Sequence, residues 1–245
     1  MDCQFCGCKV EAEFNFCPTC SEPLKKRPTD ELLVVAFRSL AKGDLDKAQT
    51  QFEKIVKKEP GNLIAHKTLG NIFFHQGKLE KAVATYKTVL EADPDYKDVL
   101  YDLGVVYYYS GNLNDAAQVF RTLLRTDSTY KAALYRLGLA CFHLGLLDES
   151  VDNLKQCVEL TPGNIMARYH LAVAYVAKCD WEAASREFKI ITMSTPNNSA
   201  SHFQLGMTYK ETGNPGKAMT SFKRALELEP ENQRVKHELE LLQKE

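Results

Sequence analysis

Residues 97–130 read KDVLYDLGVVYYYSGNLNDAAQVFRTLLRTDSTY, and residues 131–164 read KAALYRLGLACFHLGLLDESVDNLKQCVELTPGN. Laid one under the other, the two 34-residue lines agree where packing is decided. Leu103 stands over Leu137, Gly104 over Gly138, Gly111 over Gly145, Ala116 over Ser150 and Phe120 over Leu154. A fixed period of this length is the signature of a stacked repeat, in which each unit buries its apolar face against the next.

The same register extends both ways to six units, beginning at residues 29, 63, 97, 131, 165 and 199. One column runs Val35, Leu69, Leu103, Leu137, Leu171 and Leu205. The next is small throughout: Ala36, Gly70, Gly104, Gly138, Ala172 and Gly206. A third is Gly43, Gly77, Gly111, Gly145, Cys179 and Gly213. A fourth is Ala48, Ala82, Ala116, Ser150, Ala184 and Ala218, followed four residues on by Phe52, Tyr86, Phe120, Leu154, Phe188 and Phe222. Pro60, Pro94, Ser128, Pro162, Pro196 and Pro230 close the units. Each column has a physical reading. The small residue lets two helices approach closely. The later glycine suits a turn that needs a left-handed backbone. The alanine sits where the second helix crosses the first, and the aromatic four residues on shares its face. Proline ends the unit because it cannot continue a helix interior.

This pattern resembles the tetratricopeptide repeat, a helix–turn–helix unit of the same length, over residues 29–230. The resemblance implies an all-α, right-handed superhelix of six helical hairpins. Residues 231–245, with Val235, Leu239 and Leu242 on one face, read as a polar-backed capping helix. There are departures. The position where the family often has Trp holds Leu32, His66, Leu100, Leu134, Arg168 and His202. Cys179 takes the place of the turn glycine, and Trp181 that of a leucine, so the fifth turn is expected to be altered.

The N-terminus is different in kind. Residues 1–22 hold five of the eight cysteines, and residues 23–28 form a short linker bracketed by Pro23 and Pro28. Cys3-x-x-Cys6 and Cys17-x-x-Cys20 are spaced to close a tetrahedral site for one structural Zn2+. A segment so small would need the metal to fold. It resembles minimal zinc ribbons, although Ser21 stands where a glycine is usual, and Cys8 reads either as a substitute for Cys6 at the metal or as a spare thiol beside the site. Clustered cysteines of this kind fit a reducing, cytoplasmic compartment. No apolar run suggests a secretory signal or a membrane span.

In the resembled family the first helix of each hairpin lines a groove. That implies one groove column of Leu33, Lys67, Tyr101, Tyr135, Tyr169 and Phe203. A second runs Phe37, Asn71, Val105, Leu139, Val173 and Met207, and a third Val34, Thr68, Asp102, Arg136, His170 and Gln204. The aromatic column reads either as a ladder that docks a peptide or as packing between helices. Lys67, Asn71 and Arg136 match three places of the clamp by which some tetratricopeptide domains grip a chaperone C-terminal carboxylate. Asp102 and Ala132 break that clamp, and an acid at 102 would repel the ligand. His75, His143 and His170 lie toward the groove as hydrogen-bonded or solvated histidines. Cys141 and Cys157 fall in core columns, and Cys179 at an exposed turn.

The formal net charge of −1 lacks the basic footprint of a nucleic-acid binder. No phosphate loop, nucleophile elbow or H-E-x-x-H motif is present, so no enzyme is indicated. The sequence therefore points to a scaffold or adaptor for a protein or peptide segment, bound through Lys67, Asn71, Tyr101, Tyr135, Arg136, Tyr169 and Phe203. The alternatives are a zinc-ribbon regulator that contacts nucleic acid while its repeats recruit partners, and a self-assembling scaffold that forms homo-oligomers.

Overall fold

The computed structural model describes residues 30–243, and the proposed metal ligands Cys3, Cys6, Cys17 and Cys20 lie outside them. All regular structure among the described residues is helical. The order is α1 Asp30–Ala41, α2 Leu45–Lys58, α3 Leu63–His75, α4 Leu79–Ala92, α5 Lys97–Tyr109, α6 Leu113–Thr126, α7 Lys131–His143, α8 Leu147–Leu160, α9 Ile165–Ala177, α10 Trp181–Ser194, α11 Ser199–Glu211, α12 Pro215–Leu228 and α13 Gln233–Leu242. None of these helices is long and apolar enough to cross a membrane. Contacts divide the chain into two compact units, Met1–Val99 and Leu100–Glu245. Within the first, α1 to α4 pack in chain order. Within the second, successive helices from α6 to α13 pack in the same way, and α7 also touches α9.

The columns of the sequence become the core. Ala48, Ala82, Ala116, Ser150, Ala184 and Ala218 are fully enclosed, and so are Phe52, Phe120, Leu154, Phe188 and Phe222. The small column explains the close crossing. A Cβ on Gly70 would lie 2.4 Å from the Tyr86 ring, and one on Gly104 would lie 2.5 Å from the Phe120 ring. Ser150, the one hydroxyl in the alanine column, donates to the carbonyl of Gly138 at 2.8 Å, so its burial leaves no polar group unmet.

Side chains also start the helices. Asn62, Asn164, Asn198 and Asn232 each accept from the backbone N–H three residues on, at α3, α9, α11 and α13. The family's Trp column has a different use here. His66 Nε2 lies 2.9 Å from the Pro60 carbonyl, His202 Nε2 3.0 Å from that of Pro196, and Arg168 Nη2 3.2 Å from that of Pro162. In three units this residue ties the helix back to the proline that closed the unit before.

The fifth turn corrects the expectation drawn from Cys179. Its φ is +59°, in the same region as the turn glycines, which span +69° to +80°. Its bonds, Cys179 N–H to Val176 O at 2.9 Å and Asp180 N–H to Tyr175 O at 3.0 Å, match those of Gly145 and Leu146 in the unit before. The flanking helices impose the turn, and the cysteine adopts a backbone that costs an L-residue about 1–2 kcal/mol. Cys179→Gly should therefore raise stability by about 0.5–1 kcal/mol, less than the full strain because glycine also frees the unfolded chain. A urea midpoint that stays unchanged or falls would contradict this.

Candidate functional site

The expected binding residues divide between the two units. In the first, Lys67 Nζ donates to Asp98 Oδ2 at 2.6 Å and sits 5.3 Å from the Tyr96 ring centre. The Tyr86 hydroxyl donates to Asn71 Oδ1 at 2.5 Å. Both side chains thus have protein partners. Asn71 also borders a cavity of about 530 Å³ with Leu40, Gly43, Thr68, Ile72 and His75.

In the second unit, Tyr101, Tyr135, Arg136, Tyr169 and Phe203 stand on the first helices of successive hairpins as half-buried side chains. The aromatic column packs between helices, the second of its two sequence readings. Tyr101 rests on Phe120 with ring centres 6.0 Å apart, Tyr169 on Phe188 at 5.8 Å and Phe203 on Phe222 at 5.7 Å. One face of each ring therefore packs on the second helix of its own hairpin, and the rest remains open. Cavities flank the open part. One of about 510 Å³ is bordered by Ile165, Met166, Tyr169 and Ala200. Another of about 260 Å³ is bordered by Tyr169, Phe203, Gln204 and Arg234. The Arg234 guanidinium lies 5.2 Å over the Phe203 ring.

Arg136 is the electrostatic centre of this face. Its guanidinium lies 5.7 Å from the Tyr108 ring centre and 5.5 Å from that of Tyr109. Burial works against its charge, but hydrogen bonds to Tyr101 and Tyr109 more than offset this and hold its pKa above the ordinary arginine value. Its Nε is enclosed and makes no hydrogen bond. The other half-buried and buried arginines of the unit are neutralised. Arg121 forms a two-pronged pair with Glu149, 2.7 Å for each bond, and Arg168 meets Glu187 at 2.5 Å. Arg136 has no carboxylate partner among the described residues. The surroundings therefore keep Arg136 charged while leaving it without a carboxylate, so an anionic group of a bound segment could pair with it.

Histidine borders the same surface. His170 contacts Tyr135 and Tyr169, both with ring centres 5.7 Å away, and His143 stands 6.0 Å from Tyr108. Burial pushes the pKa of His170 below its ordinary value, and the charge of His143 adds to the shift. Folded His170 thus holds a proton less tightly than the unfolded chain does. Its contribution to stability is complete above the ordinary histidine pKa and is lost as pH falls through the lower folded value. Thermal midpoints should decline between pH 7.5 and 5.5 (about one unit either side of the ordinary value). The His170→Gln variant should decline less, and an equal decline would remove His170 as the cause.

Burial pushes the Cys141 thiol up to about 12 and raises that of Cys157, whereas Cys179 is exposed. No group of three His, Cys, Asp or Glu side chains among the described residues could hold a metal ion.

Two profiles of the tetratricopeptide repeat cover residues 70–111 and 101–165, and a third covers residues 199–232. The chain carries tetratricopeptide repeats. Solved tetratricopeptide structures agree with the helix order. YrrB, described as a TPR protein with an unusual peptide-binding site, is 23% identical with a TM-score of 0.70, over 76% of this chain and 96% of its own. MamA is 26% identical with a TM-score of 0.66, over 70% and 94%. A tetratricopeptide repeat protein from Parabacteroides merdae is 20% identical with a TM-score of 0.67, over 87% and 98%. Below 25% identity the likeness is one of fold. No curated protein matches the sequence.

The sequence alone did not isolate Arg136. It marked the residue as one part of a broken clamp, whereas Tyr108 and Tyr109, on the last turn of α5, supply the rings that enclose it. The signal was present as three consecutive tyrosines, Tyr107 to Tyr109, in a segment where the other units have at most two aromatics.

Proposed function

We propose that the protein is a non-enzymatic scaffold or adaptor that binds a segment of a partner protein across the first helices of its second unit. The observation that carries the reading is Arg136, a half-buried cation with no carboxylate partner on the same face as four half-open aromatic rings. Tyr101, Tyr135, Tyr169 and Phe203 would supply apolar contact and hydroxyl hydrogen bonds. Arg136 would take a carboxylate of the bound segment. The peptide-binding site for which YrrB is described, on a similar fold, supports the reading. Lys67 and Asn71, in the first unit, are held by Asp98 and Tyr86 and are not part of this proposed contact. Affinity capture from the native cell extract tests the proposal. The wild type is compared with Arg136→Ala and with Tyr135→Ala, Tyr169→Ala, both checked for folding by circular dichroism. A catch common to all three proteins would refute it.

We extend the reading to the N-terminus, where four thiolates at the spacing of Cys3, Cys6, Cys17 and Cys20 suit one structural Zn2+ in a reducing, cytoplasmic setting. Elemental analysis of the purified full chain should find one zinc, removed by Cys3→Ser with Cys17→Ser. Zinc retained in that variant would sink the assignment.

A further inference from the structure

The six repeats serve as controls for one another, and one groove departs from all the rest. It lies between the second helices α10 and α12, with α11 behind, and encloses about 710 Å³. Met193 on its α10 wall is 74% exposed. The five other residues of its column are charged: Lys57, Glu91, Arg125, Glu159 and Glu227. Ile190, three residues earlier, is 40% exposed, and its column otherwise holds Lys54, Thr88, Thr122, Gln156 and Arg224. On α12, Gly216 stands where the other units have Asp46, Glu80, Asn114, Asp148 and Glu182. Two of those acids bind the hairpin that follows their own, Asp46 accepting from Gln76 and Asp148 from Lys178. At Gly216 the acid is missing, and a Cβ would meet nothing within 4 Å.

The three departures act together. They add two large apolar side chains to the solvent face of α10 and remove an acid from the facing wall, leaving space. What remains around the groove is basic. Lys189, Lys217, Lys223 and Arg224 line it. Glu227 is the one carboxylate among the described lining residues, and it is taken by Arg224 at 2.9 Å. Lys189, Lys217 and Lys223 have no carboxylate partner among the described residues. Leu205 and Tyr209 form the apolar floor, with the Lys217 ammonium 5.6 Å from the Tyr209 ring centre.

We infer that this groove is a second docking surface, separate from the Arg136 face, whose occupant is an acidic amphipathic helix of a partner protein. Apolar side chains of that helix would sit against Met193, Leu205 and Tyr209, and its flanking carboxylates would meet the lysines. Single exposed apolar residues are ordinary on a protein surface. Here Met193 stands exposed beside a rim of four basic side chains, and that complementarity of charge, not apolar area, selects an acidic occupant.

The test is fluorescence anisotropy of a labelled peptide helix, with leucine on one face and glutamate on the other, titrated with the full chain. Its charge-inverted lysine version and a glutamate peptide without leucine run beside it. Met193→Glu and Gly216→Glu restore what the other repeats carry at exposed positions, so both variants should stay folded. Each should weaken the acidic peptide by about tenfold or more. Added salt should weaken binding in the wild type. Tyr135→Ala, Tyr169→Ala should leave this binding unchanged even if it abolishes the other. The inference is overturned if the acidic peptide does not bind, or if it binds both groove variants like the wild type. It is also overturned if the lysine version binds equally. Its choice of occupant is overturned if sedimentation shows a wild-type dimer that Met193→Glu reduces to a monomer, since the groove would then hold a second copy of the chain.

Discussion

Phe120→Ala should lower the stability of the protein by about 3–5 kcal/mol, a large part of what a domain of this kind possesses. Phe120 is fully enclosed. Its ring fills the space left by Gly104 and supports Tyr101. Truncation would leave a cavity bounded by rigid helices that cannot close over it. The neighbouring position sharpens the test. Ala36 and Ala172 occupy the Gly104 column opposite Phe52 and Phe188, and both are fully buried. Gly104→Ala should therefore be tolerated after a small shift, since the gain in helix propensity offsets the crowding. Gly104→Leu has no precedent in the column and should be as damaging as the loss of Phe120. Urea denaturation of the three variants would measure this. A mild Phe120→Ala, or a Gly104→Ala as severe as Gly104→Leu, would mean that the packing column is not what holds the hairpins together.

The second large effect is on binding. Tyr135→Ala, Tyr169→Ala should weaken partner capture by about 30-fold or more, the loss expected when central aromatic anchors are removed. The two rings lie on either side of His170, and Tyr169 also borders both cavities of the face. Removing Tyr169 takes away support for Phe188 as well, so part of the effect falls on stability. Arg136→Ala separates the two. It removes a cation held by tyrosine contacts alone, so it should cost only about 1–2 kcal/mol of stability while weakening capture. A variant that loses more stability than this and keeps its partner would reverse that assignment.

The helices were legible because the columns obey two constraints that sequence displays directly. Close crossings demand small residues, as at Gly70, Gly104 and Gly138, and left-handed turns favour glycine, as at Gly43 and Gly111. Cys179 misled because residue type alone suggested another backbone, whereas the helices on both sides enforce the same turn. The asparagine caps at residues 62, 164, 198 and 232 were available from the Pro-x-Asn spacing in Pro60-Gly61-Asn62 and its counterparts. The ties from His66, Arg168 and His202 to prolines six residues earlier were not, because they depend on how the chain enters each helix. The proposed binding face was only half legible. Position named Tyr101, Tyr135, Tyr169 and Phe203, but whether a ring is buried or offered depends on what its partner helix leaves uncovered. The isolation of Arg136 depends on where the rings of Tyr108 and Tyr109 settle, which no spacing rule specifies.

The most direct test of the central claim is cross-linking mass spectrometry of the complex captured by the wild-type chain from its own cell extract. Cross-links and protected lysines should cluster on α7, α9 and α11, around Tyr135, Arg136, Tyr169 and Phe203, and the catch should be lost from Tyr135→Ala, Tyr169→Ala. Cross-links confined to residues 1–28, with an unchanged catch in the variant, would contradict it and assign recognition to the cysteine-rich segment instead.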